Sequence, residues 1–147
     1  MRSLLVFLFA SVLATSAMAG KAPPYTYVRV GSASDVSPAT TSGTVLMGGG
    51  SDVDAAFQWL CNLGGNGDFL IIRATGADAY NPYVQGLCPN ANSVATLIIP
   101  DATAANHADV AAIIAKAEVV WIAAVASGMM SVATEFALGH RPCTYGL

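Results

Sequence analysis

Apolar residues in this chain fall into short runs, and the spacing within and between the runs alternates between two periods. Asp68 to Arg73, Val94 to Pro100 and Glu118 to Ala123 are near-continuous apolar stretches. Stretches of that length predict parallel strands covered by helices on both faces. Thr44 to Met47 is a briefer run of the same kind. Between the runs, apolar positions recur at intervals of three and four. Val53, Ala56, Phe57 and Leu60 mark one helix, and Val110, Ile113, Ile114 and Ala117 mark another that the stretch from Asp101 leads into. A short helix is predicted over Asn81 to Leu87. Tyr25 to Val30 alternates as an edge strand does, and Ser32 to Gly43 is polar and turn-rich.

The punctuation agrees with this order. Gly48-Gly49-Gly50 permits a tight turn from strand to helix, and Ser51 with Asp54 three residues on has the spacing of a capping box. Gly64 and Gly65 close the helix that follows. Ala124 to Gly139 has helical spacing through Met129, Val132, Ala133 and Phe136, whereas Arg141 to Leu147 reads as an unstructured tail. Strands alternating with helices predict an α/β fold on a mostly parallel sheet.

Composition sharpens the compartment more than the fold. Of 147 residues, 54% are hydrophobic and 10% charged, and part of that excess sits at the start. Arg2, the apolar run Leu4 to Leu13 and Ala17-Met18-Ala19 have the layout of an export signal over residues 1–19. The run is about ten residues, half of what a membrane-spanning helix needs. Cleavage after Ala19 removes Arg2, taking the formal charge from −3 to −4. No basic cluster exists, so nucleic acid is not an expected partner. The expectation is a secreted or extracytoplasmic chain with no membrane partner after cleavage. Export also makes Cys61, Cys88 and Cys143 disulfide candidates rather than metal ligands. Cys61 with Cys88 is the expected pair, closing a loop of roughly 27 residues for about 3–4 kcal/mol, and Cys143 is left over. No cofactor and no metal is expected.

Candidate chemistry concentrates in two loops at strand ends. A dinucleotide fingerprint needs glycine where Val53 stands, and a P-loop needs a Gly-Lys-Ser/Thr ending that is absent, so the triple glycine reads better as a tight turn. The loop from Ala74 to Tyr83 is richer. Arg73 ends a buried strand where an unpaired guanidinium is costly, and Asp78 is the nearest acid to neutralise it. Tyr80, Asn81 and Tyr83 add hydroxyl and amide groups. These residues suit either a polar ligand site or an internally hydrogen-bonded loop that Pro82 leads out of. His107 and His140 have no nucleophile at recognisable spacing, and no Gly-x-Ser-x-Gly elbow occurs.

Val45 to Asp54, Phe69 to Tyr83 and Val119 to Ala123 together resemble the amino-terminal half of secreted cyanophycinase-like proteins. That family consists of serine peptidases with an α/β fold related to class I glutamine amidotransferases. The resemblance covers residues 44–123 and implies a three-layer sandwich, present here in truncated form; residues 20–43, read from their composition, are an N-terminal strand and polar loop ahead of it. It places Gly49, Arg73, Asp78, Tyr80 and Asn81 around a substrate mouth for a peptide or small polar substrate.

Family members continue their fourth strand into a Gly-Gly-Asp-Gln-type loop and later present the nucleophilic serine on a Gly-Thr-Ser-Ala-Gly turn. Here Ala124-Val125-Ala126-Ser127 stands at the first place, and the second is missing, so no catalytic residue is carried over and 124–147 reads as a divergent tail. The resemblance implies an inactive relative of an amide hydrolase; the alternative is a secreted binding module whose ligand loop is 73–83. Glycine codons read one base out give alanine and valine codons, which fits a frame change at Ala124. The gene's alternate frame past this point is expected to encode a Gly-Gly loop and then a Gly-x-Ser-Ala-Gly turn; a frame encoding neither contradicts the idea.

Overall fold

A computed structural model describes residues 21–47, 50–124 and 144–146. The expected export signal at 1–19, Gly49, Cys143, His140 and the helix expected within 124–139, beyond Ala124, lie outside the described residues.

The chain runs β1 (Thr26–Gly31), β2 (Thr44–Val45), α1 (Asp54–Leu63), β3 (Asp68–Arg73), α2 (Tyr80–Leu87), β4 (Ser93–Ile98), α3 (Ala102–Ala105), α4 (Ala108–Ile114), β5 (Val119–Ala124) and β6 (Thr144–Gly146). It is a mixed α/β fold on one mostly parallel sheet, ordered β1-β4-β3-β5-β6-β2. Among the described strands only β1 is antiparallel, pairing with β4 from Thr26 opposite Ile98 to Gly31 opposite Ser93. The tail expected to be unstructured instead supplies β6, which lies between β5 and β2 and is parallel to both.

β3 occupies the middle of the paired strands, and its residues alternate between two cores. Phe69 and Ile71 pack with Phe57, Leu60 and Val84 from α1 and α2. Leu70 and Ile72 pack on the opposite face with Ala104, Val110 and Ile114 from α3 and α4. That double cover is why the strand is apolar throughout its middle and polar only at Asp68 and Arg73.

The helix starts differ in how they are capped. The Ser51–Asp54 capping box does not form: α1 starts at Asp54 behind an N-cap Val53 that makes no side-chain cap bond. The stretch from Asp101 that leads into the expected helix is itself helical as α3, and the helix expected through Ala117 starts after His107 and ends at Ile114. Asp101 caps α3 through the Ala104 amide at 2.8 Å, the Asn106 side chain donates to the Ala102 carbonyl, and His107 becomes the N-cap of α4.

The amino end of β3 is tied down by charge. Asp68 accepts from Arg29 at 2.9 Å, from Asn92 at 2.8 Å and from Ser93, joining β1 and β4 to β3. Its amide donates to Glu118 Oε2 at 2.8 Å. Glu118 is only 7% exposed, and burial raises its carboxyl above the ordinary value of 4.5, with the nearby Asp68 charge adding to the effect. An acid that holds its proton more tightly folded than unfolded favours the fold below its unfolded value, and that advantage is lost as pH climbs through the raised folded value. Glu118→Gln, which keeps the acceptor, is therefore expected to flatten the fall in melting temperature as pH rises from 4.5 toward neutrality. An unchanged slope contradicts this.

Candidate functional site

Arg73 closes β3 where the chain's crossovers diverge. From β3 the chain passes through α2 to β4 on one side, then crosses back through α3 and α4 to β5 on the other. The carboxyl ends of β3 and β5 thus form the crevice in which open α/β sheets place ligands. The register of these strands slips at the same point: Ile72 pairs with Ile122, but Arg73 pairs with Ala124. Such a bulge bends the strand and re-aims side chains at the rim.

An open cleft of about 420 Å³ lies there, lined by Asp52, Arg73, Ala79, Tyr80 and Tyr83. Arg73 is half-buried. Its Nη1 donates to the Ala77 carbonyl at 3.0 Å, and the guanidinium lies 5.4 Å from the centre of the Tyr80 ring. Among the described residues it makes no ion pair; the neutralisation expected from Asp78 is replaced by this carbonyl and ring. The loop allows it because Gly76 adopts φ +97°, and a Cβ there would lie 2.9 Å from Arg73 Nη2. Arg73 Nε is buried with no hydrogen-bond partner among the described residues.

The two tyrosines face acids from the other side of the cleft. Tyr80 donates to Asp52 at 2.8 Å and Tyr83 to Asp54 at 2.6 Å. The Asp54 bond, helped by burial, pushes the Tyr83 phenol up to about 12. Burial first and the Asp52 bond second raise Tyr80 as well, against a lowering by Arg73. Phe57 packs behind both rings at 6.3 and 5.5 Å and reaches Trp121 at 4.6 Å, which links the cleft to the core.

The predicted site residues divide. Arg73 and Tyr80 are brought together. Asp78 is exposed and does not line the cleft; its carbonyl accepts the Asn81 amide. Asn81 faces inward, fully buried, donating to the Val28 carbonyl at 3.0 Å and accepting from Thr96 at 2.7 Å, so it braces β1 and β4 from α2. Gly49 lies outside the described residues. Asp52 and Asp54 were not anticipated. Their partners are 28 and 29 residues away in sequence, and the only local signal is two acids beside a turn that follows a strand. Cys61 and Cys88 form a disulfide with Cα atoms 6.2 Å apart, joining the carboxyl ends of α1 and α2.

The arrangement suits binding. Both phenolic protons are committed to carboxylates, so the cleft offers acceptors and aromatic faces with Arg73 as its cation. None of the described lining residues is a Ser, Thr, Cys, His or Lys, so the lining contains no nucleophile and base pair. No group of three or more His, Cys, Asp or Glu among the described residues could hold a metal ion, and no described helix is long and apolar enough to cross a membrane. No family model matches the chain, and no curated protein or solved structure matches it significantly.

Gly76→Ala is expected to cost about 1–2 kcal/mol, because alanine resists a positive φ, and to push the guanidinium off the Tyr80 ring. Thermal melts and the Arg73 Nε resonance report the two effects. A variant as stable as the parent, with that resonance unmoved, contradicts the loop geometry.

Proposed function

We propose that residues 44–123 are the front half of a cyanophycinase-like three-layer fold and that this secreted chain is an inactive relative of those amide hydrolases. Its cleft holds a small polar ligand or a peptide segment. The observation carrying this reading is the position of Arg73 and Tyr80 at the carboxyl end of β3, at the switch of crossover direction, where such folds keep their substrates. In a working hydrolase of this kind a serine attacks the amide while a base takes its proton and backbone amides hold the oxyanion. The lining here supplies orientation without the attacking group.

A second reading, a binding module outside that family, draws on the same lack of a nucleophile among the described lining residues. The two differ in ancestry and agree on what the cleft does.

The test combines two assays on the purified protein. Hydrolysis of an aspartyl-arginine polymer is expected to be absent; turnover overturns the inactive reading. A thermal-shift screen of amino acids, dipeptides and small polar acids is expected to find a compound that raises the melting temperature by several degrees at about 100 times its dissociation constant. The rise should vanish in Arg73→Ala. No shift across the screen, or one that survives this substitution, contradicts ligand binding at the cleft.

A further inference from the structure

The cleft is assembled from two parts of the chain. Asp52 and Asp54 belong to the α1 side, whereas Arg73, Tyr80 and Tyr83 belong to β3 and α2. Among the described residues, the hydrogen bonds joining the sides at the mouth are Tyr80 to Asp52 and Tyr83 to Asp54, both exposed to water. At the far end of the same two helices the Cys61–Cys88 bridge joins them covalently. Between the ends sits Phe57, touching both tyrosine rings. The helix pair is therefore held at its amino ends by two solvent-exposed hydrogen bonds and at its carboxyl ends by one covalent bond.

We propose that the Cys61–Cys88 disulfide is a redox latch on the cleft: oxidised, it keeps the amino end of α1 seated against α2 so that Asp52 and Asp54 meet the tyrosines; reduced, it lets the α1 side swing away and opens the cleft.

The geometry gives the reasons. Water-exposed hydrogen bonds compete with solvent at every moment, so they persist only while the groups are held close by something else. Phe57, Leu60 and Cys61 are the buried residues of α1, and Cys61 contributes through the bridge as well as through packing. Without the bridge, α1 relies on Phe57 and Leu60 to stay in register with α2. On its amino side β2 is only two residues long, with Val45 and Met47 packed against the same core as α1.

The chemistry is thiol–disulfide exchange with a dithiol. A thiolate of the dithiol attacks one sulfur, and the S–S bond breaks as a mixed disulfide forms. The second thiolate then displaces the protein cysteine and becomes a disulfide itself. Two electrons and two protons pass to the protein, which leaves as two thiols. Both cysteines are 4% exposed, so the attack requires the helices to part locally and is expected to be slow. A latch of this kind changes state with a lasting change of redox environment and ignores brief ones.

Regulation of binding rests on the cleft reading above, but the latch itself has a readout that needs no ligand. The phenol of Tyr83 reports whether Asp54 is in place. Tyrosine ionisation is followed by ultraviolet absorbance against pH in the parent protein and in the Cys61→Ser/Cys88→Ser double variant, with Tyr83→Phe assigning the transition. Circular dichroism monitors the fold in each. In the parent, Tyr83 should ionise at about 12. In the double variant it should return toward the ordinary 10.0 with helix content retained. The parent kept in excess dithiothreitol should follow the double variant, and its transition should move back on reoxidation.

A Tyr83 transition that stays at about 12 without the bridge overturns the latch. So does loss of helical signal together with the shift, since the bridge is then a staple for the whole fold. Thermal-shift binding in the same samples separates the two ideas. A working latch with no ligand response leaves the latch standing and defeats the cleft reading. A ligand response indifferent to the bridge does the reverse.

Discussion

The constraint on which this molecule depends is the double burial of β3. A strand with Phe69 and Ile71 on one face and Leu70 and Ile72 on the other has no side for water. Helices must cover both faces, and charged groups can sit only at the strand's two ends. From this follow the placement of α1 and α2 against one face, α3 and α4 against the other, and the concentration of polar chemistry at Asp68 and Arg73.

Those two ends solve the same problem differently. At Asp68 the charge is enclosed: Arg29, Asn92 and Ser93 donate to it, and Glu118 receives its amide, so β1, β3, β4 and the entry to β5 are tied together. At Arg73 the charge is left half open, leaning on the Ala77 carbonyl and the Tyr80 ring. One end is consumed in holding the fold. The other keeps capacity to interact, and acids from across the cleft bring Tyr80 and Tyr83 to it. Phe57 makes the connection mechanical, since one side chain touches the core at Phe69 and Trp121 and the cleft at both tyrosines.

The parts of this plan that burial dictates were legible in the sequence. The apolar runs at 68–73, 94–100 and 118–123 announce strands at nearly the observed positions because only a doubly covered strand is written that way. The parts decided by individual hydrogen bonds were not. Asn106 and His107 separate α4 from the short α3, which no apolar spacing announces, and each takes part in a local hydrogen bond to the backbone. Asn81 looks like a ligand group in a polar loop, yet the buried Thr96 hydroxyl and Val28 carbonyl draw it inward. Asp54 has the spacing of a cap and serves Tyr83 instead. The strand at Thr144–Gly146 is short enough that only its neighbours β5 and β2 define it.

Native-state hydrogen exchange tests most directly whether β3 is the rigid axis that presents Arg73. The amides of Phe69 to Ile72 should exchange slowest in the molecule, at the rate of global unfolding, while amides of the loop from Thr75 to Ala79 exchange through local opening many times faster. Exchange of the β3 amides at loop rates, or protection highest in α1 or α4 with β3 unprotected, contradicts the account.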